Sequence, residues 1–168
     1  YYIFYIASFG LYQLSVNGAA VQYFWPNNPW WANASTPFLI GASAFFGCQF
    51  ARSFLHTASH SRWLDRALIF LMAVGVLVMV LALTTSYAVS LRLATGLALA
   101  FIVTIFTAGV VAWVRGLRVA RYFVIAWSAF LLGGLVNTLM VLGYLPNVFL
   151  TMYASQIGSA IEVGLLSL

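Results

Sequence analysis

The sequence predicts an all-α, polytopic transmembrane helix bundle, with six helices in this chain, on three observations. Of its 168 residues 64% are hydrophobic and only 5% charged, more apolar surface than a water-soluble fold can cover. The apolar residues gather into runs of about 20, the length that crosses about 30 Å of hydrocarbon at about 1.5 Å per residue. Runs such as LIFLMAVGVLVMVLAL do not alternate, which excludes the roughly ten-residue alternating strands of a membrane barrel.

The elements follow from the polar and proline-containing breaks. Helices are expected at approximately 1–24, 37–55, 64–85, 89–114, 120–143 and 148–168, within one transmembrane domain over 1–168. The stretch Trp25 to Thr36, which carries Pro26, Asn27, Asn28 and Pro29, reads as the first connection, and GYLPN around Pro146 as the last.

All seven basic residues are Arg, and the acids are Asp65 and Glu162 alone. The absence of Lys excludes a retinal Schiff base, a Walker-type phosphate loop and a lysine nucleophile. Six arginines fall around two connections: Arg52, Arg62 and Arg66 around one, Arg115, Arg118 and Arg121 around the other. The positive-inside rule makes both connections cytoplasmic, which also puts the Tyr1 and Leu168 ends in the cytoplasm. WPNNPWWANAST, TTSYAVS and GYLPN then face outward with only Arg92 close by. Aromatic belts agree: Trp25, Trp30, Trp31, Tyr87, Tyr144 and Tyr153 lie near the outer boundary, and Tyr1, Tyr2, Trp63, Trp113 and Tyr122 near the inner.

Glu162 is the first residue to test. A carboxylate at the bilayer centre costs about 2.5–3.5 kcal/mol on insertion scales, so Glu162 is expected to face protein or water and to have a partner. An arginine of the inner cluster is in reach, because counting from Val148 puts Glu162 about 21 Å along its helix. Ser155, Ser159 and Glu162 recur at helical spacing with Gly158 adjacent, a small and polar stripe suited to helix packing. Two readings stay open: a switch in the last helix that couples to an attached domain, and a static interhelical tie. Gln13 and Asn17 share a face with Gly10, while Asn137 and Gln156 lie at outer-half depths. Such amides either line a small-molecule or ion pocket or serve as interhelical hydrogen bonds of about 0.6 kcal/mol, and the second needs no ligand. Gly133 and Gly134, like Gly96 with Ala100, permit close helix approach, within the bundle or across a homodimer.

His56 and His60 sit four apart, yet Asp65 and the lone Cys48 do not complete a coordination sphere, so no metal and no cofactor are expected. Cys48 reads as a small hydrophobe. The arginine clusters serve orientation and anionic headgroups, at about 1 kcal/mol each, or dock an output module; nucleic acid is not implied. The Trp25, Trp30 and Trp31 loop is a stiff amphipathic lip that anchors at headgroups or seats an external domain. One Glu, two His and one Cys at different depths make no catalytic constellation, so no enzyme activity is expected of this domain.

The segments SFGLYQLSVNG, WPNNPWWAN, QFARSFL, LDRAL, SLRLATGLA, ARYFVIAW and FLTMYASQIGSAIEVGLLSL occur in this order. Together they resemble the bacterial seven-transmembrane receptors with diverse intracellular signalling modules (7TMR-DISM), over a stretch from helix two to helix seven. The resemblance implies a preceding first helix and a fused extracytoplasmic sensor domain, often a carbohydrate-binding-like β-sandwich. It also implies a cytosolic output module after the last helix, such as a histidine kinase or diguanylate cyclase, and residence in the bacterial inner membrane. Met152 departs from the acidic residue of many members, and the family brings no catalytic residues with it. The expected function is therefore a signal transducer acting as a homodimer in the lipid bilayer. A small-molecule or ion transporter or channel subunit is the alternative, against which stands the lack of an inverted repeat or of paired broken helices.

Overall fold

The computed structural model describes residues 1–57, 61–141, 144–146 and 148–166, with the side chains of 137–141, 151 and 152 outside the described set. All regular structure among the described residues is helical. Contacts sort the chain into two compact units, Tyr1–Ala108 and Gly109–Leu168, within the 1–168 stretch expected as one domain.

The first unit holds α1 (Tyr2–Val16), α2 (Ala19–Tyr23), α3 (Pro29–Phe54), α4 (Arg62–Thr84) and most of α5 (Tyr87–Val114). The helix expected over 1–24 divides, because Gly18 takes φ 79° and a left-handed residue ends a right-handed helix. The last α1 bonds are Asn17 N–H to the Gln13 carbonyl at 3.0 Å and Gly18 N–H to the Ser15 carbonyl at 3.2 Å.

The second expected helix begins eight residues earlier than position 37. Asn28 caps α3 by accepting from the Trp31 N–H at 3.1 Å, and Pro29 occupies the first turn, where its missing donor costs nothing. The WWANAST stretch expected as connection is therefore helical, and Pro37 lies inside α3, buried.

Helix α3 is the centre of this unit, with α1 and α4 both packed on it. Its buried face is made of small residues, among them Ala34, Ser35, Gly41, Ala42, Ser43, Ala44, Gly47, Cys48 and Ala51. They let backbones approach: a Cβ on Gly41 would stand 2.8 Å from the Gly75 carbonyl oxygen of α4, and one on Gly75 3.0 Å from the Gly41 oxygen. The α1 contact is aromatic and antiparallel, Tyr2 on Phe50 at 4.6 Å and Phe4 on Phe46 at 5.2 Å between ring centroids. Phe101 of α5 fills the space over Gly47, whose Cβ would meet its ring.

Along α4, Leu64, Leu68, Leu71, Gly75, Val78 and Ala82 are buried at helical spacing, while Phe70, Leu77 and Val80 of the same helix are exposed. Leu99 and Val103 are likewise exposed on α5. Apolar surface on both the inner and outer faces of a helix suits a lipid solvent and not water.

Helix α3 ends through His56, which adopts φ 47°. For a non-glycine residue this left-handed conformation costs about 1–2 kcal/mol. His56→Gly is therefore expected to leave the thermal unfolding midpoint at or above that of the parent, and the β-branched His56→Val to lower stability by about 1–2 kcal/mol. Equal midpoints for the two variants would refute the strain.

The second unit contains the end of α5, then α6 (Ala120–Val141), α7 (Phe149–Met152) and α8 (Ala154–Leu166). Helix α5 closes in a Schellman motif: Gly116 has φ 92°, its N–H bonds the Trp113 carbonyl at 2.9 Å, and the Leu117 N–H bonds the Ala112 carbonyl at 3.1 Å. Phe123 and Trp127 of α6 are fully buried, and Phe123 packs where a Gly109 Cβ would stand, 2.9 Å from its ring. The helix expected over 148–168 is interrupted at Tyr153, although Tyr153 N–H to Phe149 O at 3.1 Å and Ile157 N–H to Tyr153 O at 2.9 Å carry the bonding pattern across.

Candidate functional site: a buried carboxyl in the last helix

Helices α6 and α8 pack together in an antiparallel pair. They touch backbone to backbone: a Cβ on Gly158 would stand 2.7 Å from the Ala129 carbonyl oxygen and 3.1 Å from Phe130 Cα. A Cβ on Gly133 would overlap the Ala154 carbonyl and stand 3.3 Å from Gly158 Cα. One turn beyond Gly158, in line with it along α8, Glu162 is buried to 1% exposure. The antiparallel register puts it at about the level of Ala126 on α6. Ser155 and Ser159 are half-buried on the same face, and the Ser155 hydroxyl donates to Gln156 Oε1 at 3.1 Å. The small-and-polar stripe read from the sequence thus coincides with the face that α8 turns to α6.

Of the arginines among which a partner for Glu162 was expected, Arg115, Arg118 and Arg121 are exposed. Arg121 instead lies on Tyr122, with Nη2 donating to the phenol oxygen at 2.8 Å and the guanidinium carbon 4.7 Å from the ring centroid. Arg62 and Arg66 are exposed as well.

Arg52, read from the sequence as part of a basic cytoplasmic loop, lies at the end of α3 and pairs with Asp65. Its Nε donates to Asp65 Oδ1 at 2.7 Å and its Nη2 to Oδ2 at 3.2 Å, a two-pronged pair across the α3–α4 connection. Thr57 donates to Asp65 Oδ1 at 3.1 Å, and Arg52 Nη1 reaches Gln49 Oε1 at 3.4 Å. This cluster was not anticipated; the signal for it was an Asp and an Arg on either side of one short connection. It also engages the carboxylate that stood nearest the two histidines. His60 lies outside the described residues, and these contain no group of three metal-ligating side chains.

Neither Gln13 nor Asn17 of the amide stripe on the first helix is buried. Gly10 is exposed with nothing within 4 Å of a Cβ position, Gln13 is half-buried, and Asn17 is exposed as the residue that ends α1. The buried α1 residues are instead Tyr5 and Ser15. Asn137 is helical, and its side chain lies outside the described set. Gly96 and Ala100 are exposed, and among the described residues a Cβ on Gly96 or Gly134 meets nothing within 4 Å. In the tryptophan segment the rings chain together, Trp25 to Trp31 at 6.3 Å, Trp30 to Trp31 at 6.0 Å and Trp31 to Phe38 at 5.6 Å, with Trp30 exposed.

Helices α4, of 23 residues, and α5, of 28, are long and apolar enough to cross a membrane. With lipid-suited outer faces, glycine-mediated helix contacts and a buried carboxyl, the class is that of polytopic helical membrane proteins. The chain belongs to the 7TM diverse intracellular signalling family, whose family model matches residues 1–168. It is thus a membrane domain of a signalling receptor, and the family is not a known catalytic one. No curated protein and no solved structure matches the chain.

Proposed function

We propose that this domain relays an extracytoplasmic signal to a cytosolic output module, a histidine kinase, diguanylate cyclase or similar enzyme, by rearrangement of α8 against α6. The observation that carries the reading is the burial of Glu162 on the face α8 turns to α6. In apolar surroundings a carboxyl is sensitive to small changes of position, since each change in its hydrogen bonding or solvation is worth kilocalories. A helix that carries such a group therefore has few acceptable placements and passes between them discretely, which is what a switch requires. Ser155, Gln156 and Ser159 are the few polar groups of α8 that accompany Glu162 in this rearrangement.

In this reading the chain works in the bacterial inner membrane as a homodimer, with the Tyr1 and Leu168 ends cytoplasmic. Support for that orientation comes from the six arginines of two connections. The sensor and output modules are fused to the domain on its two flanks. Glu162→Gln in the intact receptor is expected to change output severalfold, basal or stimulated, with normal amounts of protein in the membrane. Output identical to the parent across the stimulus range would make Glu162 a structural tie only.

A further inference from the structure

The turn from Trp113 to Tyr122 carries Arg115, Arg118 and Arg121 three residues apart, all exposed. We propose that it binds the phosphate of anionic lipid headgroups. The first argument is charge. The chain has seven arginines and two carboxyls. Asp65 is taken by Arg52, and Glu162 is buried at 1% exposure. No carboxylate of the chain's surface is left to face these three guanidiniums, so their counter-charge comes from outside it.

The second argument is order. The Schellman closure at Gly116 fixes the backbone of the turn. Arg121 is held on Tyr122 by its hydrogen bond and by the ring face. A guanidinium positioned in advance loses less rotamer freedom on taking a phosphate, which its planar fork grips with two parallel hydrogen bonds.

The apolar residues of the turn select lipid over an acidic protein. Interleaved with the arginines are exposed apolar residues: Trp113 at 50%, Val114 at 81% and Val119 at 48%, with Tyr122 beside them at 46%. This mixture fits the boundary of a bilayer, where valines meet acyl chains, aromatic rings sit at headgroup depth and guanidiniums reach up to phosphate. Lipid binding at this turn does not depend on the relay, because it requires neither switching by Glu162 nor any motion of α8.

The test uses the whole chain in mixed micelles of equal phosphatidylglycerol and phosphatidylcholine, with retained lipid quantified by mass spectrometry after gel filtration. The parent is expected to retain phosphatidylglycerol preferentially. Each of Arg115→Gln, Arg118→Gln and Arg121→Gln is expected to lower that preference about fivefold, the equivalent of about 1 kcal/mol per basic residue near a charged surface. The triple variant is expected to lose it, with helical content by circular dichroism unchanged. The single variants keep the test decisive should the triple variant misfold. An undiminished preference in the glutamine variants overturns the proposal, as does displacement of the lipid by millimolar inorganic phosphate, which would mark a site for the free anion. Undiminished lipid preference together with loss of a docked cytosolic domain in the intact receptor would assign the turn to a protein partner and overturn it equally.

Discussion

Replacing Gly133 with Ala is expected to force α6 and α8 apart and to destabilise the second unit by about 1–3 kcal/mol, the usual cost of inserting a methyl group into a packed contact. The reason lies in what the new carbon meets. At Gly133 it overlaps the carbonyl of Ala154, and the next neighbour is Gly158 Cα at 3.3 Å, so backbone rather than a yielding side chain stands in the way. Gly158→Ala faces the same obstacle, with the Ala129 oxygen at 2.7 Å. The informative control is the next residue along. A Cβ on Gly134 meets nothing within 4 Å, so Gly134→Ala is expected to be neutral or slightly stabilising, because Ala exceeds Gly in helix propensity by up to about 1 kcal/mol. Reversible unfolding of the purified domain in mixed detergent micelles measures both. If Gly133→Ala and Gly134→Ala unfold at the same denaturant fraction, the close α6–α8 crossing is wrong.

Asp65→Ala is expected to destabilise the first unit by about 1–3 kcal/mol, between the value of exposed ion pairs and that of fully buried ones, since the partners are 26% and 15% exposed. Its carboxylate ties three elements at once: Arg52 from the end of α3, Thr57 from the connection, and α4, on whose first turn it sits. Removing it leaves the Arg52 guanidinium partly buried without its counter-ion, which is the costly half of the change. A double-mutant cycle separates that cost from simple loss of side chains. Arg52→Leu combined with Asp65→Leu should cost clearly less than the sum of the two single changes, with a coupling of about 0.5–3 kcal/mol. Additive single effects would show that the pair contributes no interaction of its own.

Much of this architecture is legible in the amino-acid sequence. Run length and the near-absence of charge mark an all-helical membrane chain, since about 20 uninterrupted apolar residues have no other stable form in lipid. The stripe of Ser155, Ser159 and Glu162 was readable for a similar reason: residues three and four apart share a helix face whatever the helix packs against. The start of α3 differs from the expected one because Pro26, Asn27, Asn28 and Pro29 mark the whole stretch to Thr36 as a connection. Asn28 followed by Pro29 was the better signal, a cap and a first-turn proline, and the helix simply continues through the second proline. The break at Gly18 is hidden in a continuous apolar run, where a glycine in a right-handed conformation and one at φ 79° are written with the same letter.

Local chemistry, then, was determined by the chain alone: that it is helical, that it belongs in a membrane, and which residues of a helix lie side by side. These depend on spacings of a few residues and on transfer from water, both properties of sequence. Only tertiary structure decided which glycines matter and which charges are engaged. Gly133 and Gly134 are adjacent and chemically identical, yet only one faces another backbone. Arg52 and Arg66 flank the same connection, yet of the two Arg52 is the one that meets Asp65. Close packing and ion pairing act over a few ångströms between residues remote in the chain, so they are settled by which faces the folded helices bring together.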